Sequence, residues 1–353
     1  MKKRLKVLIV DDSATVRRVF TDALSSEPDI EVMGAAPDPY VARDLILRLK
    51  PDVLTLDIEM PRLDGLSFLR KLMKHHPLPV IMISSLAKGS ARVCMEALEA
   101  GAVEVLAKPS GQFSVGELGL TLANKIRAAA QANLKVGARS STRPASTVNQ
   151  AKAVGTGPLR PVIAIGASTG GTEAICSVLE KMPANCPPIV IAQHIPAGFS
   201  KAFADRMNRV CAMKVEEAAD GVNLQPGLAL VAPGDFHMLV RGGGALRAEV
   251  KKGPLVCYQR PAVDVLFESV AQVLGKQAIG VILTGMGADG AQGLLRMRRS
   301  GARTIGQDKA TSVVYGMPKE AFHVGAVEQV APLHMIAGLI MNMVEAGVPA
   351  PAR

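Results

Sequence analysis

Tryptophan is absent from the 353 residues, and aromatics make up only 3% of them. Binders of single-stranded nucleic acid stack bases on aromatic side chains, so this scarcity argues against that class. No apolar run reaches the roughly 18 residues that a membrane-spanning helix needs. The opening stretch MKKRLKVLIVDD has the basic start of a signal peptide, but Lys6 interrupts its apolar run and two aspartates end it, which argues against export. The five cysteines, Cys94, Cys176, Cys186, Cys211 and Cys257, are odd in number and include no CxxC pair. Neither a zinc ribbon nor a full disulfide framework is expected, and a reducing cytoplasm fits.

What is present is the balance of a globular protein, 48% apolar and 20% charged, in a length that suits two domains of ordinary size. The formal charge of +10 is unevenly spread: residues 126–160 carry six basic and no acidic side chains, while both flanking blocks are close to neutral. No nucleic-acid partner is expected from that distribution. Residues 131–160 are rich in Ser, Thr, Gly and Pro and lack hydrophobic periodicity. They read as a flexible basic linker, either a solvated spacer or a docking strip for an acidic partner. Domains are therefore expected over 1–125 and 160–348, joined by a linker over 126–159.

The first block alternates short β-branched runs, at 6–10, 30–36, 52–57, 79–84 and 103–109, with stretches long enough for one helix each. This pattern predicts a five-stranded parallel sheet with helices on both faces, whose binding groups gather beyond the carboxyl ends of the strands. Asp11 and Asp12 follow the first strand, Asp57 ends the third, Ser84 ends the fourth and Lys108 follows the fifth. Strand-end aspartates can simply cap helices, but converging carboxylates repel one another unless a cation neutralises them, and Mg²⁺ suits oxygen ligands. Asp57 is the natural nucleophile for an aspartyl phosphate, with Lys108 and Ser84 placed to contact the phosphoryl oxygens.

Together VLIVDDS, LTLDIEMPRLDG, MISS and AKP resemble the response-regulator receiver domain, a flavodoxin-like fold. The resemblance implies that Asp57 accepts phosphate from a chemotaxis histidine kinase. It also implies that Asp12, Asp57 and the Glu59 carbonyl bind Mg²⁺, with Asp11 helping through water, and that Ser84 and Lys108 sense the phosphate. Many receivers carry an aromatic switch residue three positions before the lysine, where this chain has Val105.

The second block repeats the α/β logic. PVIAIGAS at 161–168, PPIVIAQH at 187–194 and AIGVILTGMGADG at 278–290 each read as a buried strand running into a polar turn. Ser168, His194 and Asp289 then lie just after three strand ends, where a parallel sheet would gather a nucleophile, a general base and an orienting acid. GASTGG at 166–171 has the G-x-S-x-G spacing of a nucleophile elbow, although Gly-rich turns after strands also cradle phosphates. Among the six histidines, His194 directly follows an apolar strand and lies outside the receiver block. The order Ser, His, Asp disfavours an ordinary α/β-hydrolase.

IGASTGG, QHIPAGFS, APGDFHM, RPAVDVLFES, LTGMGADGAQGL and VVYGMPKEA, in that order, resemble the catalytic domain of the chemotaxis protein-glutamate methylesterases (CheB type). The resemblance implies a doubly wound α/β domain with Ser168 as nucleophile, His194 as base and Asp289 as its orienting carboxylate. Met286 would contribute to the oxyanion site, and backbone N–H groups near Thr169 and Gly170 are further candidates. No cofactor is expected in that site. The implied reaction is hydrolysis of glutamate methyl esters on methyl-accepting chemoreceptors, releasing methanol, with deamidation of particular glutamines. Such an enzyme would be cytoplasmic and peripheral to membrane receptors only. Two rival classes are a phosphorylation-controlled binding module, for which Ser168 would be dispensable, and a DNA-binding regulator, which would need a basic recognition helix after the linker.

Overall fold

The computed structural model describes residues 4–85, 90–108, 115–134 and 161–346. They divide into two compact units, Met1–Arg139 and Ser140–Arg353. The first carries strands β1 (Leu5–Val10), β2 (Ile30–Ala36), β3 (Val53–Asp57), β4 (Val80–Ser84) and β5 (Glu104–Ala107), alternating with helices α1 (Ala14–Ser25), α2 (Pro39–Leu49), α3 (Gly65–His75), α4 (Ser90–Glu99) and α5 (Val115–Ala130). The strands pair in parallel in the order β2-β1-β3-β4-β5. They lie within one residue of the expected runs, except that β5 ends two residues early.

Local chemistry starts the helices. Ser13, Asp38 and Asp64 cap α1, α2 and α3 by accepting backbone N–H groups of the first turn, and Pro39 supplies a preset φ at the start of α2. The strands are buried because helices cover the sheet: Val7, Leu8, Ile9, Leu54, Leu56, Ile81 and Met82 are shielded from water.

The expected linker begins too early. Helix α5 continues to Ala130, because Leu122, Ile126 and Ala129 keep a helical apolar stripe that packs against the sheet. Arg127, counted in the basic stretch, is held by Glu27 at 2.6 Å and by Asp29 at 2.6 Å within the first unit. From 135 to 159 the expected linker lies outside the described residues.

The second unit is built on a seven-stranded sheet of β6 (Val162–Ala167), β7 (Ile189–Gln193), β8 (Lys214–Glu217), β9 (Leu228–Val231), β12 (Ala278–Ile282), β13 (Arg303–Gln307) and β14 (Gln329–Ala331). Every pairing in it is parallel, in the order β14-β13-β12-β6-β7-β9-β8. Its helices are α6 (Gly171–Leu179), α7 (Phe199–Val210), α8 (Val263–Leu274), α9 (Ala291–Arg299), α10 (Met317–His323) and α11 (Leu333–Glu345). A separate antiparallel ribbon joins β10 (His237–Arg241) to β11 (Arg247–Lys251) through a glycine-rich turn.

From β6 the chain first builds outward through β7 and later returns to add β12 on the other flank. That reversal makes the end of β6 a topological switch point, where open α/β sheets form their binding crevice. The core beneath it includes Val162, Ala164, Val190, Ala192, Phe267, Leu294 and Met297. No helix among the described residues is long and apolar enough to cross a membrane.

Candidate functional site

Adjacent strands and register bring Ser168 and His194 together. Ala167 at the end of β6 is level with Gln193 at the end of β7, so the next residue of each strand is the serine and the histidine. Ala167 O accepts the His194 N–H at 3.1 Å, and Thr284 O accepts the Ser168 N–H at 3.0 Å, so the sheet ladder continues one step past the strands on both sides. Asp289 reaches the pair from the turn between β12 and α9.

The three side chains form one buried row. His194 Nδ1 lies 3.0 Å from Ser168 Oγ, and His194 Nε2 lies 2.7 Å from Asp289 Oδ2. A carboxylate only accepts, so it holds the ring hydrogen on Nε2 and leaves the Nδ1 lone pair facing the hydroxyl. The ring nitrogens thus take the reverse of their serine-protease positions while the logic of the row is kept. All three side chains are buried, which strengthens each polar contact by excluding water.

Neighbours that the sequence reading passed over brace the row. Gln193 Nε2 donates to Ser168 O at 2.9 Å and to His194 O at 3.0 Å, tying the two strand ends together. A glutamine closing an otherwise apolar buried strand was the available signal. Thr284 Oγ1 donates to Thr169 O at 3.0 Å. Gly285, which precedes Met286, passes so close that an added Cβ would stand 2.7 Å from Ser168 Cβ. Thr169 and Gly170 lie between Ser168 and the first turn of α6, whose backbone N–H groups present the positive end of the helix dipole. His237 belongs elsewhere: its Nε2 faces Pro254 O at 2.8 Å and its Nδ1 accepts the Ala262 N–H, so its role is to hold a loop.

In the first unit, the ligating atoms of Asp11, Asp12 and Asp57 all lie within 4.8 Å of one another. Lys108 Nζ stands 2.8 Å from Asp57 Oδ2 and 3.1 Å from Asp11 Oδ2. Asp57 is fully buried, and its Oδ1 has no hydrogen-bond partner. An orphaned buried oxygen beside two more carboxylates fits a hard divalent cation such as Mg²⁺. Ser84 is buried one position past Ile83, the residue level with Asp57, and its hydroxyl donates to Ser85 O. The Glu59 carboxylate accepts from Ser85 Oγ at 3.0 Å. Val105 is buried in β5.

Burial pushes the Asp57 carboxyl up to about 6, with Asp11 adding to the rise and Lys108 opposing it. A carboxyl whose pKa is raised on folding destabilises the fold when ionised. That penalty is absent below about pH 4, grows to about pH 6 and is constant above it. Two pH units correspond to about 3 kcal/mol as an upper bound, which the lost Lys108 pairing reduces in a variant. Asp57→Asn is therefore expected to stabilise the chain by about 1–3 kcal/mol at pH 7. Denaturant melts at pH 7 and pH 4 check this, since the gain must shrink at the lower pH.

A family model described as CheB methylesterase matches residues 163–340, and one described as response regulator receiver domain matches residues 7–118. The protein-glutamate methylesterase/protein-glutamine glutaminase 2 of Syntrophus aciditrophicus is 54% identical over 346 residues, covering 97% of this chain and 99% of that relative. Its counterpart in Escherichia coli O157:H7 is 47% identical over 350 residues, covering 98% of each. Among solved structures, the Thermotoga maritima CheB methylesterase catalytic domain superposes with a TM-score of 0.51 at 36% identity, covering 53% of this chain and 98% of that one. A Ser–His–Asp row at the switch point of a parallel sheet, a receiver fold before it and near full-length identity of about half all converge, and the chain belongs to the CheB methylesterase family.

Proposed function

We propose that the chain is a phosphorylation-activated hydrolase that removes methyl groups from glutamate methyl esters on chemoreceptors and deamidates particular receptor glutamines. The buried contact of Ser168, His194 and Asp289 carries this reading, because it supplies a nucleophile, a base and an orienting carboxylate in one row.

Ser168 Oγ attacks the ester carbonyl while His194 Nδ1 takes its proton. Asp289 holds Nε2–H and stabilises the imidazolium that forms. The tetrahedral oxyanion is held by backbone N–H groups near Thr169, Gly170 and Met286, one such donor being worth about 3–4 kcal/mol in rate. The imidazolium returns its proton to the departing methoxide, releasing methanol and leaving an acyl-serine. Water, deprotonated by His194, then cleaves the acyl-serine and restores the hydroxyl. With a glutamine side chain the same steps release ammonia.

In the receiver, Asp57 is the phosphorylated residue and Ser84 and Lys108 contact the phosphoryl group. Asp11, Asp12, Asp57 and the Glu59 carbonyl would hold Mg²⁺, which when bound offsets the charge of the incoming phosphoryl group. A chemotaxis histidine kinase is the phosphodonor, and the unphosphorylated receiver restricts receptor access to Ser168. Among the described residues no disulfide joins any of the five cysteines, which supports a reducing, cytoplasmic setting, where the signalling helices of chemoreceptors lie.

The deciding assay measures methanol release from methylated receptor membranes by the full chain, with and without a small phosphodonor. Release that rises with the donor is expected, together with Mg²⁺-dependent labelling that Asp57→Asn abolishes. Binding to receptor without methanol release would leave only the catalysis-free reading.

A further inference from the structure

Helices α8 and α9 both begin without a local side-chain cap, their N-cap positions being Ala262 and Gly290. Val263, Asp264 and Gly293 in their first turns are buried, so acceptors for their N–H groups must come from elsewhere in the chain. Each helix borrows a carboxylate from the other. Asp289, just before α9, accepts from Val263 N at 2.7 Å and Asp264 N at 3.0 Å in the first turn of α8. Asp264, in that first turn, accepts from Gly293 N in the first turn of α9 at 2.7 Å. The exchange requires the helices to touch: a Cβ on Gly293 would lie 2.7 Å from Phe267 Cβ and 3.1 Å from Asp264 Cα.

We propose that Asp264 is a positioning residue for the hydrolytic row. Its carboxylate anchors the start of α9 and so the turn that carries Asp289, and its own N–H sets the orientation of Asp289 through Oδ1. Asp289 Oδ2 is then aimed at His194 Nε2 by two backbone donors that Asp264 holds in register. This rests on the reading of Ser168, His194 and Asp289 given above.

The titratable groups around Asp264 are Asp289 before α9, Glu268 one turn along α8 and Cys257, whose sulfur lies within 4.8 Å of both aspartates' ligating oxygens. Burial pushes the Asp264 carboxyl up to about 6, with the Gly293 N–H opposing the rise and Asp289 and Glu268 adding to it.

The test uses the full chain with phosphodonor and methylated receptor membranes, comparing Asp264→Ala and Asp264→Asn with the unsubstituted chain. Asp264→Ala, which removes the acceptor for Gly293, is expected to lower kcat on the order of 10- to 100-fold with little change in KM, as loss of a supporting hydrogen bond does elsewhere. Asp264→Asn keeps an acceptor for Gly293, so it should recover most of that loss. The comparison is internal, because all three chains share the same receiver.

The proposal is overturned if Asp264→Ala keeps kcat within about twofold, if the loss falls on KM alone, or if Asp264→Asn loses as much kcat as Asp264→Ala. Loss of folding in Asp264→Asn, read by circular dichroism, would also overturn it, since the residue would then be structural. Failure of the underlying reading looks different: Ser168→Ala would keep its methanol release.

Discussion

Ser168→Ala is expected to reduce methanol release from methylated receptor by about 10⁴- to 10⁶-fold, because no other side chain in the row can form the acyl intermediate. His194→Ala should be nearly as damaging, since at neutral pH the hydroxyl needs a base within hydrogen-bond reach and Nδ1 at 3.0 Å is the one in contact. Asp289→Asn is expected to cost about 10⁴-fold by a different route. An asparagine amide can donate to Nε2, which favours the ring hydrogen on Nδ1, so the nitrogen facing Ser168 loses its lone pair. The same change weakens acceptance from Val263 and Asp264, whose N–H groups now point at a neutral side chain. Because the three residues act as a unit, Ser168→Ala combined with His194→Ala should be little slower than the slower single variant. Release of labelled methanol from receptor membranes measures all of these, and near-normal turnover by Ser168→Ala would remove the serine from the chemistry.

A fragment beginning near Leu159 is expected to demethylate receptor at least about tenfold faster than the unphosphorylated full chain and to ignore a phosphodonor that stimulates the full chain. The second unit has its own core, from Val162 to Val327, and matches a catalytic domain from Thermotoga maritima over 98% of that chain, which argues that the fragment folds. The size of the switch constrains its cause. Moving a population from about 1:99 to 99:1 takes about 5.5 kcal/mol of differential free energy. An exposed ion pair supplies only about 0.2–1 kcal/mol, so a switch of that size would need more than one salt bridge to change. Asp57→Asn in the full chain should abolish the stimulation. A fragment no faster than the unphosphorylated full chain would mean that the receiver promotes catalysis or recruits substrate instead of restricting access.

Strand positions were readable from residue order alone, because a buried parallel strand must be a short β-branched run whatever lies beside it. That is why β1 to β4 fall within a residue of the expected runs and β6, β7 and β12 lie inside the segments read as a strand running into a turn, and why the polar residues closing them stood out. The end of the first domain was not readable in this way. The alanines of α5 carry little hydrophobic contrast, and their burial against the sheet extends the helix to Ala130.

Contacts between distant residues could not be seen in the sequence at all. Asp264 and Gly293 are 29 positions apart and Asp289 is 95 from His194, so no local periodicity links them. Their meeting depends on β12 settling beside β6, which sets where α8 and α9 cross. The choice of ring nitrogen facing Ser168 has the same origin. Local propensity acts over a few residues and decides which elements form, whereas hydrogen-bond geometry at the site depends on strand order and register, which exist only once the sheet has closed around its core.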